Sequence, residues 1–308
     1  MEQVRERRVH GDHGQVTELA YFVVIGLGIG AVYALSGLGI VTLFTGSGLL
    51  NFAQGDLMVL GALTAAGVAG SGHGYVAALG AAIAVTGIAG LLLGGLFALP
   101  LRQRGFDIDV VVIGTLGVAI TMTNLLGIWF GREPERIESP VASATIPIGN
   151  FFAPMHYALM LVGAVVVFFG MRLLMRRTDL GLQLRAVAAG VSAARDSGVR
   201  IVRMLIVSWL IAAVVGGAAG VLVASVVPVV PESATMLGVN GFSAAILGGL
   251  ANPFGVLIGG PILGVTESLS GAYLNETVRQ AVAPVVLLAT LLLRPRGLFA
   301  SRAKARTV

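Results

Sequence analysis

The 308-residue chain combines 56% hydrophobic residues with only 11% charged residues, and its mean hydropathy is +0.92. Because soluble globular proteins carry about 25% charged residues, this composition excludes an ordinary soluble domain and indicates a protein that uses lipid as its solvent. The complete lack of cysteine excludes a disulfide framework, thiolate metal sites and a cysteine nucleophile.

The sequence begins with a polar segment, residues 1–18, and then becomes apolar from Leu19 onward. We keep this first apolar stretch as a mature helix, because it is too long for the core of a signal peptide. Most of the long apolar runs approach the roughly 17–25 residues that a membrane-spanning helix needs. We therefore predict an all-α polytopic bundle of about eight transmembrane helices in a single domain, residues 19–299. The runs are Val23–Phe44, Val76–Leu99, Val110–Phe130, Tyr157–Leu174, Ile206–Val227 and Val282–Leu293.

Small and polar residues interrupt the first apolar run at its end. Gly46 and Gly48 lie in this interruption, and a glycine-rich apolar run resumes at Leu57 after the polar stretch Asn51–Asp56. Irregular backbone at membrane depth survives only where protein or a water-filled cavity surrounds it, and broken helices point to a transport pathway. We therefore predict a broken or re-entrant segment near residues 45–56.

Arginines beside helix ends mark the cytoplasmic side of a membrane protein. Arg102 and Arg104 indicate one cytoplasmic loop, whereas the connection Gly131–Pro154 has mixed charge and several prolines and is interpreted as external. Two basic clusters predict a further cytoplasmic loop and a basic cytoplasmic tail, residues 300–308. No aromatic residues alternate with them, so we predict no nucleic-acid partner. The clusters are Arg172, Arg176, Arg177, Arg185, Arg195, Arg200 and Arg203, and then Arg294, Arg296, Arg302, Lys304 and Arg306.

Residues 176–203 form the most informative polar segment of the sequence. Its pattern suits two short helices, Leu182–Val187 and Ala188–Ser197, with glycines supplying the breaks around them. An alanine-rich helix ringed by arginine suits the groove of a partner protein, and it equally suits a membrane surface with anionic lipid headgroups. The residues by themselves leave these two alternatives open.

The basic tail constrains the topology of the last third of the chain. Ile206–Val227 leads outward and the tail must lie inside, so an odd number of crossings separates them. Because Val282–Leu293 is one crossing, Val239–Leu269 must be either two crossings or a re-entrant pair. Glycines around an Asn-Pro pair support a break near residues 248–255. The glycines of this second break are Gly248, Gly249 and Gly255.

Polar side chains inside apolar spans are candidates for function, because a central charge costs roughly 2.5–3.5 kcal/mol on insertion scales. We take the few that occur here as candidates for lining a translocation path. Asn51 and Asp56 have an alternative structural role, because such side chains satisfy free N–H groups at helix starts. The polar candidates are Asn51, Gln54, Asp56, Asn240 and Glu267.

The sequence carries no arrangement of residues typical of an enzyme. It has neither a phosphate-binding Gly-x-x-x-x-Gly-Lys-Ser/Thr loop nor a Ser/His/Asp grouping at a nucleophile elbow. Its four histidines show no metal-ligand spacing. We therefore predict no catalytic residue, metal or cofactor, and any ATP that drives transport must be hydrolysed by another chain.

Several stretches stand out by their residue order, namely Asn51–Asp56, Thr178–Gly181 through Ala193–Val199, Gly241–Leu250 with Pro253–Gly260, and Leu293–Leu298. They follow one another over most of the chain, from about Gly26 to Phe299. Together they resemble the permease subunits of high-affinity branched-chain amino acid ABC importers, and more narrowly the shorter of the two permeases of that system.

The resemblance implies a bacterial inner-membrane importer. In it this chain would pair with a second, related permease, two cytoplasmic ATPases and an external solute-binding protein, all in contact with membrane lipids. By position, Leu182–Ser197 would be the coupling segment that docks on an ATPase, while Asn51 and Phe52 would border the translocation path. The coupling residues implied in this way are Leu182, Arg185, Ala189, Gly190, Arg195, Asp196 and Gly198.

Two departures from the family pattern stand in these stretches. The family usually has His and then Gly-Glu where this chain has Gln54-Gly55-Asp56. It usually has an acidic or amide residue where Ala189-Gly190 stand in the coupling segment. The first departure puts a pathway role of Gln54 in question, and the second indicates either an adjusted ATPase contact or drift.

The leading hypothesis is therefore the permease subunit of an ATP-driven ABC importer for branched-chain or other hydrophobic amino acids. The nearest alternative is the same machine with urea, short amides or other amino acids as cargo. A stand-alone channel or secondary carrier would need no ATPase, and the sparse intramembrane charge disfavours ion coupling. A membrane enzyme is disfavoured because the catalytic groups are missing.

Overall fold

The computed structural model describes residues 2–104, 108–148, 151–250, 252–295 and 297–299, with side chains described outside 2–16, 98–104, 108 and 109. The predicted basic tail, residues 300–308, lies outside the described residues. The described part contains eleven α-helices and one two-stranded antiparallel sheet. The elements are α1 (Glu2–Ser47), α2 (Gln54–Gly70), α3 (Tyr75–Arg104), α4 (Ile108–Phe130), β1 (Thr145–Ile148), β2 (Phe151–Pro154), α5 (His156–Arg177), α6 (Asp179–Ala189), α7 (Val191–Asp196), α8 (Ile201–Ala224), α9 (Ser233–Gly248), α10 (Pro253–Tyr273) and α11 (Glu276–Leu293).

The predicted all-α polytopic membrane fold is confirmed. Within the described residues, seven helices are long and apolar enough to cross a membrane: α1 from Thr17 onward, α3 as far as Phe97, α4 from Val110, α5, α8, α10 and α11. Two further helices, α2 with 17 residues and α9 with 16, are buried against them and lie at or just below the shortest length of a full span. The chain is therefore a multi-pass membrane protein.

The connections between helices define two sides of the bundle. On one side, the backbone of Glu135 pairs with that of Val229, and Arg132 forms an ion pair with Glu232 at 2.9 Å, which joins the α4–β1 and α8–α9 connections. We call this the hairpin side, because the β1–β2 hairpin lies there. We call the opposite side, which carries α6 and α7, the arginine side.

The last three helices α9, α10 and α11 cross the bundle one after another. The N–H of Leu298, just beyond α11, donates to the carbonyl of Leu247 at the end of α9, 2.9 Å away. The turn between α9 and α10 therefore lies at the same level as the end of α11, on the arginine side. Gly249 adopts a φ of 102° in this turn, a backbone conformation that residues with a side chain rarely adopt. Within Val239–Leu269, α10 is long and apolar enough to be a crossing, whereas α9, with 16 residues, is shorter than a full span.

Helix α1 lies antiparallel to α10 at very short range. A Cβ atom on Gly26 would lie 2.6 Å from the Cα of Val265, and one on Gly30 would lie 2.6 Å from the Cα of Pro261. Gly260 and Gly264 face the same contact from α10, and a Cβ atom on either of them would collide with the backbone of α1. Small residues spaced four apart on both helices let the two backbones touch, which is how helices associate in lipid without a hydrophobic driving force.

This contact predicts a strong effect of side chains at Gly30. We expect Gly30→Ala to lower the apparent melting temperature of the protein in detergent, because overpacking costs about 1–3 kcal/mol. Gly80→Ala is the matched control, since a Cβ at Gly80 on α3 meets no atom within 4 Å. Thermal unfolding followed by circular dichroism measures both. Equal melting temperatures for the two variants would contradict the tight α1–α10 contact.

Candidate functional site

The break between α1 and α2 begins at the exposed Gly48 on the arginine side and leads the chain back into the bundle. Helix α1 ends at Ser47 on the arginine side, where Gly46 packs against Leu184 of α6 and Ser208 of α8. Gly48 then turns the chain with a φ of 74°, and α2 begins at Gln54. The Gln54 side chain contacts Ala212, halfway along α8. The non-helical residues 48–53 therefore run back to about the middle of the membrane, as the sequence predicts for a broken segment.

Two amide side chains hold this break. The Asn51 Oδ1 accepts from the N–H of Ala53 at 2.9 Å, and the Asn51 Nδ2 donates to the Gln54 Oε1 at 3.3 Å. The Gln54 Nε2 in turn donates to the Ala212 carbonyl at 3.1 Å. Both amides are buried. Because no water is available in the lipid core, backbone groups at this depth must be satisfied by protein, and these bonds supply part of that requirement.

A partly open cavity of about 390 Å³ lies beside the start of α2. Its walls come from four helices, α2, α4, α9 and α11, and from the break itself. The lining is mostly apolar and includes the Phe52 and Phe242 rings, whose centroids lie 5.2 Å apart. The lining residues are Asn51, Phe52, Asp56, Leu116, Ala119, Ile120, Thr123, Ala234, Thr235, Gly238, Val239, Phe242 and Leu287.

Asp56 is the charged residue in the lining of the cavity. It lies in the first turn of α2 with only 3% of its surface exposed, and its Oδ1 accepts from the Thr123 hydroxyl of α4 at 2.5 Å. The positive end of the α2 dipole favours a carboxylate at this position. None of the described residues that line the cavity is basic. The site therefore presents one negative charge to a mostly apolar space.

A second buried polar cluster lies away from this cavity, between α1, α9 and α10. The Tyr33 hydroxyl donates to the Glu267 Oε2 at 2.7 Å, and Asn240 is buried beside them. The other carboxylate oxygen of Glu267 has no hydrogen-bond partner among the described residues. Asn240 and Glu267 are thus near each other, but they do not line the cavity that contains Asp56.

The two short helices on the arginine side present a distinct inner and outer surface. Thr178 caps α6 by accepting from the N–H of Gly181 at 3.1 Å, and α6 buries Leu184 and Val187. Ala194 is the buried residue of α7. The candidate coupling residues on the outer surface are Leu182, Arg185, Ala189, Arg195, Asp196 and Gly198, with Gly190 half-buried at the turn between the helices.

The inner surface of this helix pair touches the end of α1. A groove of about 390 Å³ is lined by residues 44, 45, 47 and 48 of α1 and the break on one wall, and by Val187, Ala188, Gly190 and Val191 on the other. Leu184 also approaches Gly46 and is fully buried. The polar helix pair is therefore directly connected to the chain segment that leads into the cavity.

The predicted path residues and glycines lie at separate places in the structure. Asn51, Phe52 and Asp56 come together at the cavity, whereas Gln54 packs against α8 and supports the break. Of the predicted glycines, Gly46 and Gly48 lie at the end of α1, and Gly248, Gly249 and Gly255 lie at the α9–α10 turn.

Some residues of this site were not predicted from the sequence. Thr123 is not among the polar residues predicted to line the path, although its hydroxyl bonds to Asp56. Phe242 and Tyr33 were not singled out, although one pairs with Phe52 and the other bonds to Glu267. An aromatic ring or a hydroxyl in an apolar helix does not by itself indicate a functional position, because most such side chains pack in the interior or bond to their own helix.

Comparisons with known proteins agree on one family. The model described as "Branched-chain amino acid transport system / permease component" matches residues 22–293. The high-affinity branched-chain amino acid transport system permease protein LivH of Salmonella typhimurium is 27% identical, over 89% of this chain and 92% of that protein. BraD of Pseudomonas aeruginosa, another permease protein of such a system, is 27% identical over 90% and 94%. The probable permease LivH of Methanocaldococcus jannaschii is 26% identical over 86% and 87%.

The geometry of the break predicts that Asn51 is needed for stability. We expect Asn51→Ala to leave the Ala53 N–H unpaired at membrane depth and to destabilise the protein by about 1–3 kcal/mol. Asn124→Ala is the matched control, because the Asn124 amide is exposed and donates to a carbonyl of its own helix. Thermal unfolding in detergent compares them, and equal melting temperatures would show that Asn51 does not hold the break.

Proposed function

Because this chain belongs to the family of permease components of branched-chain amino acid transport systems, we propose that it forms one half of the membrane channel of an ATP-driven importer. In this proposal a second, related permease forms the other half. Two ATPase subunits bind the arginine side, and an external solute-binding protein delivers branched-chain or other hydrophobic amino acids to the hairpin side. The observation that carries the proposal is the cavity at the start of helix α2, at the level of the middle of α8.

The charges of the two sides support this orientation. The arginine side exposes Arg176, Arg177, Arg185, Arg195 and Arg203. Cytoplasmic segments carry such an excess of positive residues. The hairpin side combines Arg132, Glu133, Glu135 and Glu232 in mixed charge. We therefore assign the arginine side, and with it the end of α11, to the cytoplasm.

The cavity is the proposed part of the translocation path in this chain. It is partly open in the single chain. The flanking helices α4 and α11 have the smallest fraction of buried residues among the seven candidate spans, 17% each. A related permease packed on this face would close the cavity from the side. The Phe52–Phe242 pair then stands in the path as a barrier that moves when the two permeases rock against each other.

The link between ATP and the path runs through the arginine side. The outer surface of α6 and α7 offers exposed arginines and apolar residues to a partner, and their inner surface contacts the end of α1. Movement of the ATPases would displace α6 and α7 and, through Leu184 and Gly46, the break at residues 48–53. No reaction chemistry is required of this chain in such a cycle.

The competing cargoes and mechanisms differ in observable ways. Urea or a short amide would use the same machine, since the solute-binding protein selects the cargo. A stand-alone channel or secondary carrier would move solute without ATP hydrolysis. The apolar lining of the cavity favours a cargo with an aliphatic side chain over urea, because burial of apolar surface stabilises binding.

The docking proposal predicts a loss of coupling when α7 is altered. In the complete complex reconstituted with its solute-binding protein and leucine, we expect Arg195→Ala with Asp196→Ala to lower stimulated ATP hydrolysis by about tenfold. That factor equals the loss of roughly 1.4 kcal/mol of contact free energy. Both residues are exposed, so the fold itself should persist.

Arg294→Ala is the control for that experiment. It removes an exposed arginine from the arginine side, but from the end of α11, outside α6 and α7. Its stimulated ATP hydrolysis should stay within about twofold of that of the unmodified complex. This is a much smaller change than the tenfold loss expected of the α7 variant. If the α7 variant hydrolyses ATP as fast as this control, the docking role is rejected.

A further inference from the structure

The cavity at the start of α2 contains an acidic group without a basic partner. Asp56 lines it with 3% exposure, and the hydrogen bond that reaches it from another helix comes from the neutral Thr123 hydroxyl. An ionised carboxylate in a membrane span is costly unless it is paired or faces a polar pathway. The positive end of α2 offsets part of this cost. The remaining negative charge faces the cavity and is available to a cation that enters it.

The rest of the cavity has the opposite character. Leu116, Ile120, Val239 and Leu287 give it an aliphatic wall, and Phe242 adds an aromatic ring to the lining. Its volume of about 390 Å³ falls within the range of roughly 300–1,000 Å³ typical of small-molecule sites. A ligand that fits it has one positive group and one aliphatic part. A neutral polar solute would leave both the charge and the wall without a partner.

From this arrangement we infer that the cavity is a binding site in the permease itself for the ammonium group and the side chain of an aliphatic amino acid. The ammonium group pairs with the Asp56 carboxylate, and the side chain packs against the aliphatic wall. The carboxylate of the cargo points away from Asp56, because like charges repel, and it takes its partners from outside this lining, in which none of the described residues is basic. This inference rests on the proposed function and specifies it, since it assigns an amino group to the cargo and a residue to its recognition.

The burial of Asp56 gives the site a further property. In a cavity enclosed by the second permease, an ammonium–carboxylate pair is attractive because the surroundings are apolar and the effective dielectric constant is low. The same pair becomes weak when the cavity opens to water on the cytoplasmic side. A cargo held by Asp56 is therefore bound in the closed state and released in the open state, which is what one transport step requires.

The test uses the complete complex in proteoliposomes with its solute-binding protein, internal ATP and radiolabelled L-leucine. Asp56→Asn keeps the size of the side chain and its ability to accept from Thr123, but it removes the charge. We expect the initial rate of leucine uptake at saturating solute-binding protein to fall about tenfold, with stimulated ATP hydrolysis within about twofold of the unmodified complex. Asp56→Glu, which retains the charge, should recover most of the uptake.

Glu267→Gln is the matched control for this experiment. It also converts a buried acid to its amide, in the Tyr33 cluster outside the cavity, and it should leave uptake within about twofold. Full uptake by Asp56→Asn would overturn the inference. Parallel loss of uptake and ATP hydrolysis in Asp56→Asn would overturn it too, because it would indicate a structural role. Absence of leucine uptake by the unmodified complex would instead overturn the proposed function.

Discussion

The structure depends on satisfying the hydrogen bonds of irregular backbone that enters the interior of a membrane protein. Residues 48–53 run from the exposed Gly48 into the bundle, where an unpaired N–H or carbonyl group costs several kcal/mol. Asn51 and Gln54 supply part of this requirement with bonds to Ala53, to each other and to Ala212 of α8. Close glycine contacts between α1 and α10 hold the surrounding helices. Because the break is fixed, α2 starts at mid-depth and its first turn can face a cavity.

In the proposed cycle, the break also connects the arginine side with the cavity. Residues just before it, at Gly46, touch α6 on the arginine side, and residues just after it, at Asn51 and Phe52, line the cavity. A displacement on the arginine side therefore reaches the cavity through a short piece of chain rather than through a long helix. Non-helical backbone deforms more easily than a hydrogen-bonded helix, so the proposed cycle places its movement at the break.

The sequence predicted the fold and the break because both depend on local pattern. Apolar runs of spanning length gave the helices, and polar residues such as Asn51 and Asp56 stood out against them. The partners of these residues were not predictable, because Thr123 and Phe242 come from distant helices whose packing is decided by tertiary contacts. The depth of each interruption was equally hidden. The first lies at mid-membrane, whereas Gly248–Gly255 lies at the end of its helices, beside Leu298.

The most direct measurement of this account is the accessibility of single cysteines, which the cysteine-free sequence allows without removing native thiols. Ala119 and Thr235 line the cavity, and Val166 lies on the exposed outer face of α5. The three variants are Ala119→Cys, Thr235→Cys and Val166→Cys. In the membrane-embedded complex, a water-soluble thiol reagent should label both cavity positions faster than the α5 position, since thiolates form only where water enters. Leucine with its solute-binding protein and ATP should change the labelling of the cavity positions alone. Labelling of Ala119→Cys and Thr235→Cys no faster than that of Val166→Cys would contradict a water-accessible path at the start of α2.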